Sequence, residues 1–397
     1  MSGTHEPKIP GVLMVTGVYY PEISGASLQC RTLVAAFGGR VRCRVLTTTR
    51  APSAAGTSIV DRVPVRRVLV DLTRPATKIA AAIATAWAFV RDAPTFQIVH
   101  LHGFSQKSAL LIVLARLLRK RIVVKTSSLG HDDPVSFRSR HPWLYRLYAR
   151  ADRLVSISPA FTASFAAAQL PADRLAVIPN GVDVTRFTPA TSDRRTAAKH
   201  RLGLPAEIPV VLCVGFFSSE KRQEALFEAW LDSRAIAGDT AIVFAGATRS
   251  PSEEVDGTIA ERIVARARAL GIDDRVRLVE QALDIERLYD AADVFVLASS
   301  REGAPNVVLE AMASGLACVV TRLPGVTDAM IDDGRSGILV EKDDRRALAA
   351  ALTTVLRDRD LARRLGARAR EAVERTFAIE RVADQYLEMY RVLVCAG

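Results

Sequence analysis

Short apolar runs alternate with helical segments along almost the whole chain, and this alternation restricts the fold more than any other feature. The stretch "VLMVTGVYYPEISGASLQCRTLVAAF" begins as an apolar strand near Val12 to Thr16, passes through a Gly/Pro turn and restarts as a helix at Gly25. The pattern recurs in "RCRVLTTT", in "QIVHLHG" followed by the helical "SALLIVLARLLRK", in "RIVVKTSS" followed by "WLYRLYARA", and in "RLVSIS". Strands separated by helices cannot pair as hairpins, so they predict a parallel sheet covered by helices on both faces.

A polar, proline-containing stretch, "TSDRRTAAKHRLGLPAEIP", carries no strand signal and marks a domain boundary. Beyond it a second series of strands begins with "VVLCVG" and continues through "AIVFAG", "VRLVE", "VFVLAS", "ACVVT" and "SGILV", with helices between them. The predicted fold is α/β, with two Rossmann-like, doubly wound parallel-sheet domains at residues 1–190 and 205–375 that face a central cleft, and two tail helices, the second within 376–397. A length of 397 residues suits two cores better than one. In such sheets ligands bind outside the carboxyl ends of the strands, so chemistry is expected in the loops that follow them.

Charge is divided unevenly. Residues 1–190 hold 25 Lys or Arg against 10 Asp or Glu, a net +15, whereas the remainder carries −4. A basic half suits phosphates, acidic glycans or an anionic membrane surface, and equally suits solubility alone. Cys30, Cys43, Cys213, Cys318 and Cys395 lack the spacing of a zinc or redox motif and read as reduced cytosolic thiols. No signal peptide is recognisable, and the longest apolar stretches, 79–90 and 108–120, fall short of the ~20 residues that a bilayer span needs. A cytoplasmic protein is expected, at most peripheral on the inner face of the membrane. Ile79, Ile83, Trp87 and Val90 form one helical stripe with basic ends, for which a core helix is the expectation and a membrane-facing helix the alternative.

In "SREGAPNVVLEAMASG", residues 300–315, a single carboxylate, Glu310, interrupts a run that is otherwise apolar or small from Val307 to Ala313. An ionised carboxylate is costly to bury alone, so Glu310 must meet water, a structural partner or a ligand. Pro305 near the first helical position and Gly315 near the end bound a helix, with Glu302 in the loop before it. Glu310 then stacks about one turn from Asn306. Backbone N–H groups around Gly303, Ala304, Asn306 and Val307, at the positive end of the helix dipole, make a natural cradle for a diphosphate.

The glutamate, seven residues and glutamate within "REGAPNVVLEAMASGLACVV" resemble the signature of the retaining glycosyltransferase family 4, which has the GT-B fold. Three further segments, "VSISPAFTASF…VIPNGVDVTRFTP", "VLCVGFFSSEKRQEALFEAW" and "PGVTDAMIDDGRSGILVE", resemble the same family in the same order. The resemblance implies that Glu302 bonds hydroxyls of the donor sugar and that Glu310 takes the ribose hydroxyls of the nucleotide. It implies too that Lys221, in the loop that begins at Gly215, neutralises the diphosphate, and that the helix through "VADQYLEMYRVLV" returns to the first domain. Many members carry an arginine directly after the glycine, where this chain has Phe216. Arg222 is either its substitute or a surface charge at a helix start.

In the first domain His100 and His102 share a face at the end of a strand, with His102 nearer the carboxyl end. The resemblance places His102 beside the donor's anomeric carbon; a satisfied core histidine is the other reading, and the expected one for His100. Gly25 matches the family's glycine near a helix start, where backbone approaches the diphosphate or acceptor, or it is a simple turn. In "LGHDDPVS", His131, Asp132 and Asp133 either meet acceptor hydroxyls or form an Asp-Pro turn. The Asp-x-Asp spacing of Asp358 and Asp360 lies in a charged helical stretch and reads as a solvated face, so neither a metal nor a cofactor is expected, the nucleotide sugar being a co-substrate.

The function implied is transfer of a sugar, with retention, from a nucleoside diphosphate sugar to a glycan or lipid-linked acceptor. UDP-sugar is favoured over GDP-sugar, polysaccharide, cell-envelope or glycoconjugate biosynthesis is the setting, His102, Lys221 and Glu302 are the catalytic candidates, and no nucleic acid is involved. A nucleotide-sugar epimerase of the same fold and a non-catalytic nucleotide-sugar-binding subunit are the rivals.

Overall fold

The structure, a computed structural model, describes residues 10–71, 75–104, 106–249, 255–280 and 284–395. The chain divides into two units, one running to Gly181 and resuming at Ile379, the other spanning Val182–Ala378.

In the first unit β1 (Gly11–Val15) leads through α1 (Gly25–Ala36) to β2 (Arg42–Thr49), followed by a hairpin of β3 (Gly56–Val60) and β4 (Val63–Leu69). After α2 (Pro75–Asp92) come β5 (Ile98–His102), α3 (Gln106–Leu117) and β6 (Arg121–Lys125). Then follow α4 (Pro134–Arg140), α5 (Pro142–Tyr148), β7 (Arg153–Ser156), α6 (Pro159–Ala167) and β8 (Leu175–Val177). The strands lie in the order β3-β4-β2-β1-β5-β6-β7-β8, and β3 alone runs antiparallel to its neighbour. From β1 the chain steps to one side, and from β5 it steps to the other. Right-handed crossovers therefore put α1 on one face and α2, α3 and α5 on the opposite face, where α2 packs on α3 and α3 on α5.

The second unit runs α7 (Ser192–Arg201), β9 (Val210–Val214), α8 (Gln223–Ala237), β10 (Ala241–Ala245), α9 (Gly257–Ala269) and β11 (Val276–Val279). It continues with α10 (Ile285–Ala291), β12 (Val294–Leu297), α11 (Asn306–Ala313), β13 (Ala317–Thr321), β14 (Ile338–Val340), α12 (Arg345–Arg357) and α13 (Arg359–Thr376). Its strands, all parallel, are ordered β11-β10-β9-β12-β13-β14, so the winding reverses between β9 and β12. The last helix, α14 (Ile379–Cys395), belongs to the first unit, where it packs on α1 and buries Tyr386 and Tyr390.

Two parallel-sheet α/β units agree with the alternation of the sequence, and four details differ. The division falls at Gly181/Val182 rather than after residue 190, because the polar stretch forms α7, which packs on α10. The β3–β4 hairpin joins the sheet from a segment with no clear apolar run. Three helices rather than two follow β14. The stripe of Ile79, Ile83, Trp87 and Val90 does not enter the core: α2 seats its opposite face, Ala81, Thr85, Ala88 and Phe89, and leaves the large side chains exposed. Asp358 caps α13 by accepting from Leu361 N at 2.8 Å, and Asp360 pairs with Arg363.

Candidate active site

The reversal between β9 and β12 brings two loops together, as expected where the winding of an open sheet changes direction. The loop after β9 carries Gly215 to Arg222, and the loop after β12 carries Glu302 to Pro305. Lys221 Nζ donates to Glu302 Oε1 at 2.6 Å, and both side chains are largely shielded from water. The backbone ties the loops as well, with Ser300 N donating to Glu220 O at 2.8 Å and Arg301 pairing with Glu220 at 2.8 Å.

Glycine makes this geometry available. The aliphatic stem of Lys221 lies against Gly215, 3.7 Å from where a Cβ would stand. A Cβ on Gly246, in the loop after β10 at φ +153°, would fall 2.1 Å from the Gly215 carbonyl oxygen, so only glycine lets that neighbouring loop pass so close to Gly215. Phe216 directly follows Gly215, with its ring centroid 5.5 Å from Lys221 Nζ and its carbonyl accepting from Gln223 Nε2 at 2.9 Å. An aromatic face thus meets the ammonium where a second cation would repel it. Arg222, in the left-handed region at φ 57° at the start of α8, pairs with Asp343, so its guanidinium already has an anion.

Asn306 opens α11, and Pro305 at the N-cap offers the helix start no side-chain acceptor. At the far end α13 fixes α11: Gly366 approaches so closely that a Cβ would lie 2.0 Å from Gly315 O, and Arg370 donates to Ala313 O at 2.5 Å. Val308, Leu309, Ala311, Met312 and Ala313 are buried, while Val307 and Glu310 keep some exposure. Tyr289 of α10 donates its hydroxyl to Glu310 Oε2 at 2.7 Å. Burial pushes the Glu310 carboxyl above its ordinary range, and the Tyr289 bond pulls it back in part. Glu310 therefore has both a structural partner and an open side. Tyr289, buried between α10 and α11, was not singled out by sequence, and its only signal was an aromatic residue in the apolar spacing of "ERLYDAAD".

In the first unit His102 ends β5 and lies directly opposite Lys125, the last residue of β6. His100 and His102 stack at 4.2 Å, and His100 Nδ1 bonds the Tyr390 hydroxyl at 2.6 Å. Both ring nitrogens of His102 are buried with no hydrogen-bond partner among the described residues, as is the Tyr386 hydroxyl. Burial, together with the neighbouring Lys125 charge, holds both histidines well below their usual pKa and therefore neutral. Lys125 is 5% exposed, has no carboxylate within ion-pair reach among the described residues, and is pushed down to about 8 by burial. A buried ammonium of this kind is costly unless something anionic meets it. Sequence reasoning passed over Lys125 because it closes an apolar strand with an ordinary basic residue.

The other candidates lie in the first unit at the start of α1 and in the loop after β6. Gly25 is the first residue of α1, behind a capping box in which Ser24 and Ser27 bond reciprocally. Asp132 accepts from Ser127 N, Ser128 N, Phe104 N and Ser127 Oγ at 2.7 to 3.3 Å, so its carboxylate fastens the loop after β6 rather than standing open to a ligand. Asp133 caps α4 through Ser136 N, and His131 is exposed. The Asp-Pro turn is therefore the reading the geometry favours here.

Two family models match the chain, "Glycosyl transferase 4-like domain" over residues 24–181 and "Glycosyl transferases group 1" over residues 194–372. Among curated relatives, D-inositol 3-phosphate glycosyltransferase of Salinispora tropica is 32% identical over 76% of this chain and 65% of its own length. The protein of the same name from Salinispora arenicola is 31% identical over 77% of this chain and 71% of its own. The chain thus spans just under two thirds of the first relative. Sucrose-phosphate synthase from Thermosynechococcus elongatus superposes with a TM-score of 0.79 at 22% identity, covering 98% of this chain and 100% of that one. Anabaena Alr3699/HepE, solved in complex with UDP and glucose, gives 0.76 at 19% identity, covering 96% and 99%. These structural likenesses define the class of fold, GT-B. The chain belongs to the group 1 glycosyl transferases, glycosyltransferase family 4.

Proposed function

We propose that the chain is a retaining glycosyltransferase that moves a sugar from a nucleoside diphosphate sugar, UDP-sugar before GDP-sugar, to a glycan or lipid-linked acceptor. The observation that carries this reading is the Lys221–Glu302 pair at the winding reversal of the second unit, with Glu302 in the loop that leads into α11, the helix that bears the partly exposed Glu310. Lys221 and the helix start supply positive potential for charge that builds on a departing diphosphate. Glu302 holds sugar hydroxyls, and Glu310 takes the ribose hydroxyls. The departing phosphate itself accepts the proton of the attacking hydroxyl on the same face, so that configuration is retained. The reaction needs no metal in this scheme, since Lys221 and the helix dipole carry the charge, and a chelator is expected to leave the rate unchanged. His102, neutral and without a hydrogen-bond partner among the described residues, is available for the role beside the sugar that the family resemblance implies.

UDP as the nucleotide is supported by the UDP and glucose bound to Alr3699/HepE. The setting is the cytoplasm, at the inner face of the membrane, in polysaccharide, cell-envelope or glycoconjugate synthesis. A second reading of the acceptor, a phosphorylated polyol, is supported by the buried Lys125 ammonium and by the inositol phosphate in the relatives' names.

The test is mass spectrometry of the chain incubated with UDP-sugars, with and without acceptor panels, followed by NMR of the product's anomeric configuration. Expected is an acceptor-dependent product with the donor's configuration, lost in Lys221→Ala. An epimerised donor without acceptor would mark the epimerase, and donor binding without any turnover would mark a binding subunit.

A further inference from the structure

The helical face formed by α2, α3 and α5 exposes more large apolar surface than its place on a protein exterior accounts for. On α2, Ile79, Ile83 and Trp87 are 64%, 66% and 55% exposed; on α3, Leu117 is 73% exposed; on α5, Trp143 is 75% exposed. Val90 and Val113 extend the patch. The winding of the sheet puts these three helices on one side, packed α2 on α3 and α3 on α5, so the apolar residues belong to one face. Single exposed apolar residues are ordinary, but a cluster on adjacent helices marks a surface that meets something else.

The charges around it decide what that something is. The guanidinium groups of Arg66 and Arg91 lie 4.9 and 5.0 Å from the Trp87 ring centroid, and Arg146 lies 4.6 Å from that of Trp143. Lys78 is exposed on α2, and Arg119 is exposed two residues beyond the end of α3. The acids nearby, Asp92 and Asp152, pair with Arg91 and Arg116, so the rim remains basic. A second copy docking by the same face would bring like charges together, which disfavours a symmetric dimer. An anionic lipid surface satisfies both parts: tryptophan rings and isoleucines enter the headgroup boundary while arginine and lysine meet lipid phosphates.

We propose that the α2–α3–α5 face of the first unit docks on anionic membrane, with Ile79, Ile83, Trp87, Leu117 and Trp143 inserted and the basic rim in the headgroups. The face excludes the residues assigned to the donor, so the proposal stands or falls apart from the catalytic reading, although it supplies a physical route to a lipid-linked acceptor.

The full chain is tested by co-sedimentation with vesicles of phosphatidylcholine alone and of phosphatidylcholine mixed equally with phosphatidylglycerol, at low and high salt. Binding is expected only to the anionic vesicles, weakening as salt rises. The variant Ile83→Ser/Trp87→Ser/Leu117→Ser is expected to lose binding by about tenfold or more, and Lys78→Glu/Arg119→Glu to lose the preference for phosphatidylglycerol. UDP affinity by calorimetry should be unchanged in both, which also certifies that they fold. No sedimentation of the parent chain with anionic vesicles, or undiminished sedimentation of the triple variant, overturns the proposal. So does a concentration-dependent dimer of the parent that the triple variant abolishes, because the face would then be covered by a second copy.

Discussion

The Lys221 ammonium and the Glu302 carboxylate stand 2.6 Å apart, the cation from the loop after β9 and the anion from the loop after β12, with only 18% and 11% of their side chains exposed. Each is the other's partner, so removing one leaves a poorly solvated charge behind. Lys221→Ala is expected to lower kcat about 10²- to 10³-fold, the range seen when one preorganised charge-stabilising donor is lost. Glu302→Gln is expected to leave UDP affinity undiminished, because it frees the Lys221 ammonium for the diphosphate, while weakening UDP-sugar affinity through the lost carboxylate contact to sugar hydroxyls. Calorimetric titration with UDP and with UDP-glucose separates the two ligands, and an equal loss for both would contradict that assignment.

Phe216 offers an aromatic face, 5.5 Å from Lys221 Nζ, directly after Gly215. Phe216→Arg should tighten UDP by about fivefold, roughly 1 kcal/mol, if a second guanidinium reaches the diphosphate. Weaker binding in the variant would mean that the ring is needed to keep Lys221 in place.

Glu310 accepts hydroxyls only when ionised, and burial raises its carboxyl above the ordinary 4.5. UDP affinity should therefore fall on acidification at a higher pH than an exposed glutamate would impose. The same raised value favours the protonated form in the folded state, so this group's contribution to stability is largest in acid and declines as pH rises through the folded pKa. Tyr289→Phe removes the 2.7 Å bond that opposes the shift, and should move the midpoint of UDP binding further toward alkaline pH. A pH series of Kd values for both proteins checks the sign.

Lys125 has the opposite arithmetic. Its folded pKa of about 8 lies below the ordinary 10.5, so the folded chain binds fewer protons between those values and stability rises with pH across that window. Lys125→Met should be more stable than the parent at neutral pH, by up to about 3 kcal/mol, with the gap closing above pH 8. Thermal melts from neutral to alkaline pH measure it. If the ammonium serves a phosphorylated acceptor, the same variant loses transfer to that acceptor while UDP affinity holds.

Sequence made the sheets legible because a parallel strand buried on both faces is an unbroken apolar run, as in "VVLCV" of β9 and "ACVVT" of β13. The signature spacing of Glu302 and Glu310 and the place of Lys221 in a loop after a strand were legible too, and in the structure Lys221 pairs with Glu302 while Glu310 bonds Tyr289. Sequence failed where a residue's meaning depends on what covers it. The Ile79, Ile83 and Trp87 stripe has the period of a core helix, and only the seating of Ala81, Ala88 and Phe89 shows which side of α2 faces inward. Tyr289 and Lys125 carry no motif, and their importance lies in a hydrogen bond and a burial that arise from elements distant in sequence.

Val182 pairs with Ala378 in an isolated parallel bridge, so the second unit begins and ends at one place. During synthesis the first 181 residues emerge with their sheet's α1 face still missing α14, and His100 waits for Tyr390 until the whole of the second unit, Val182–Ala378, and part of α14 have been added. The second unit can close on itself in that interval, whereas the first cannot finish. A chain that stops at residue 378 would thus carry one complete unit and one with its histidine pair uncovered. A nonsense codon in the last helix should therefore harm the half of the protein made first.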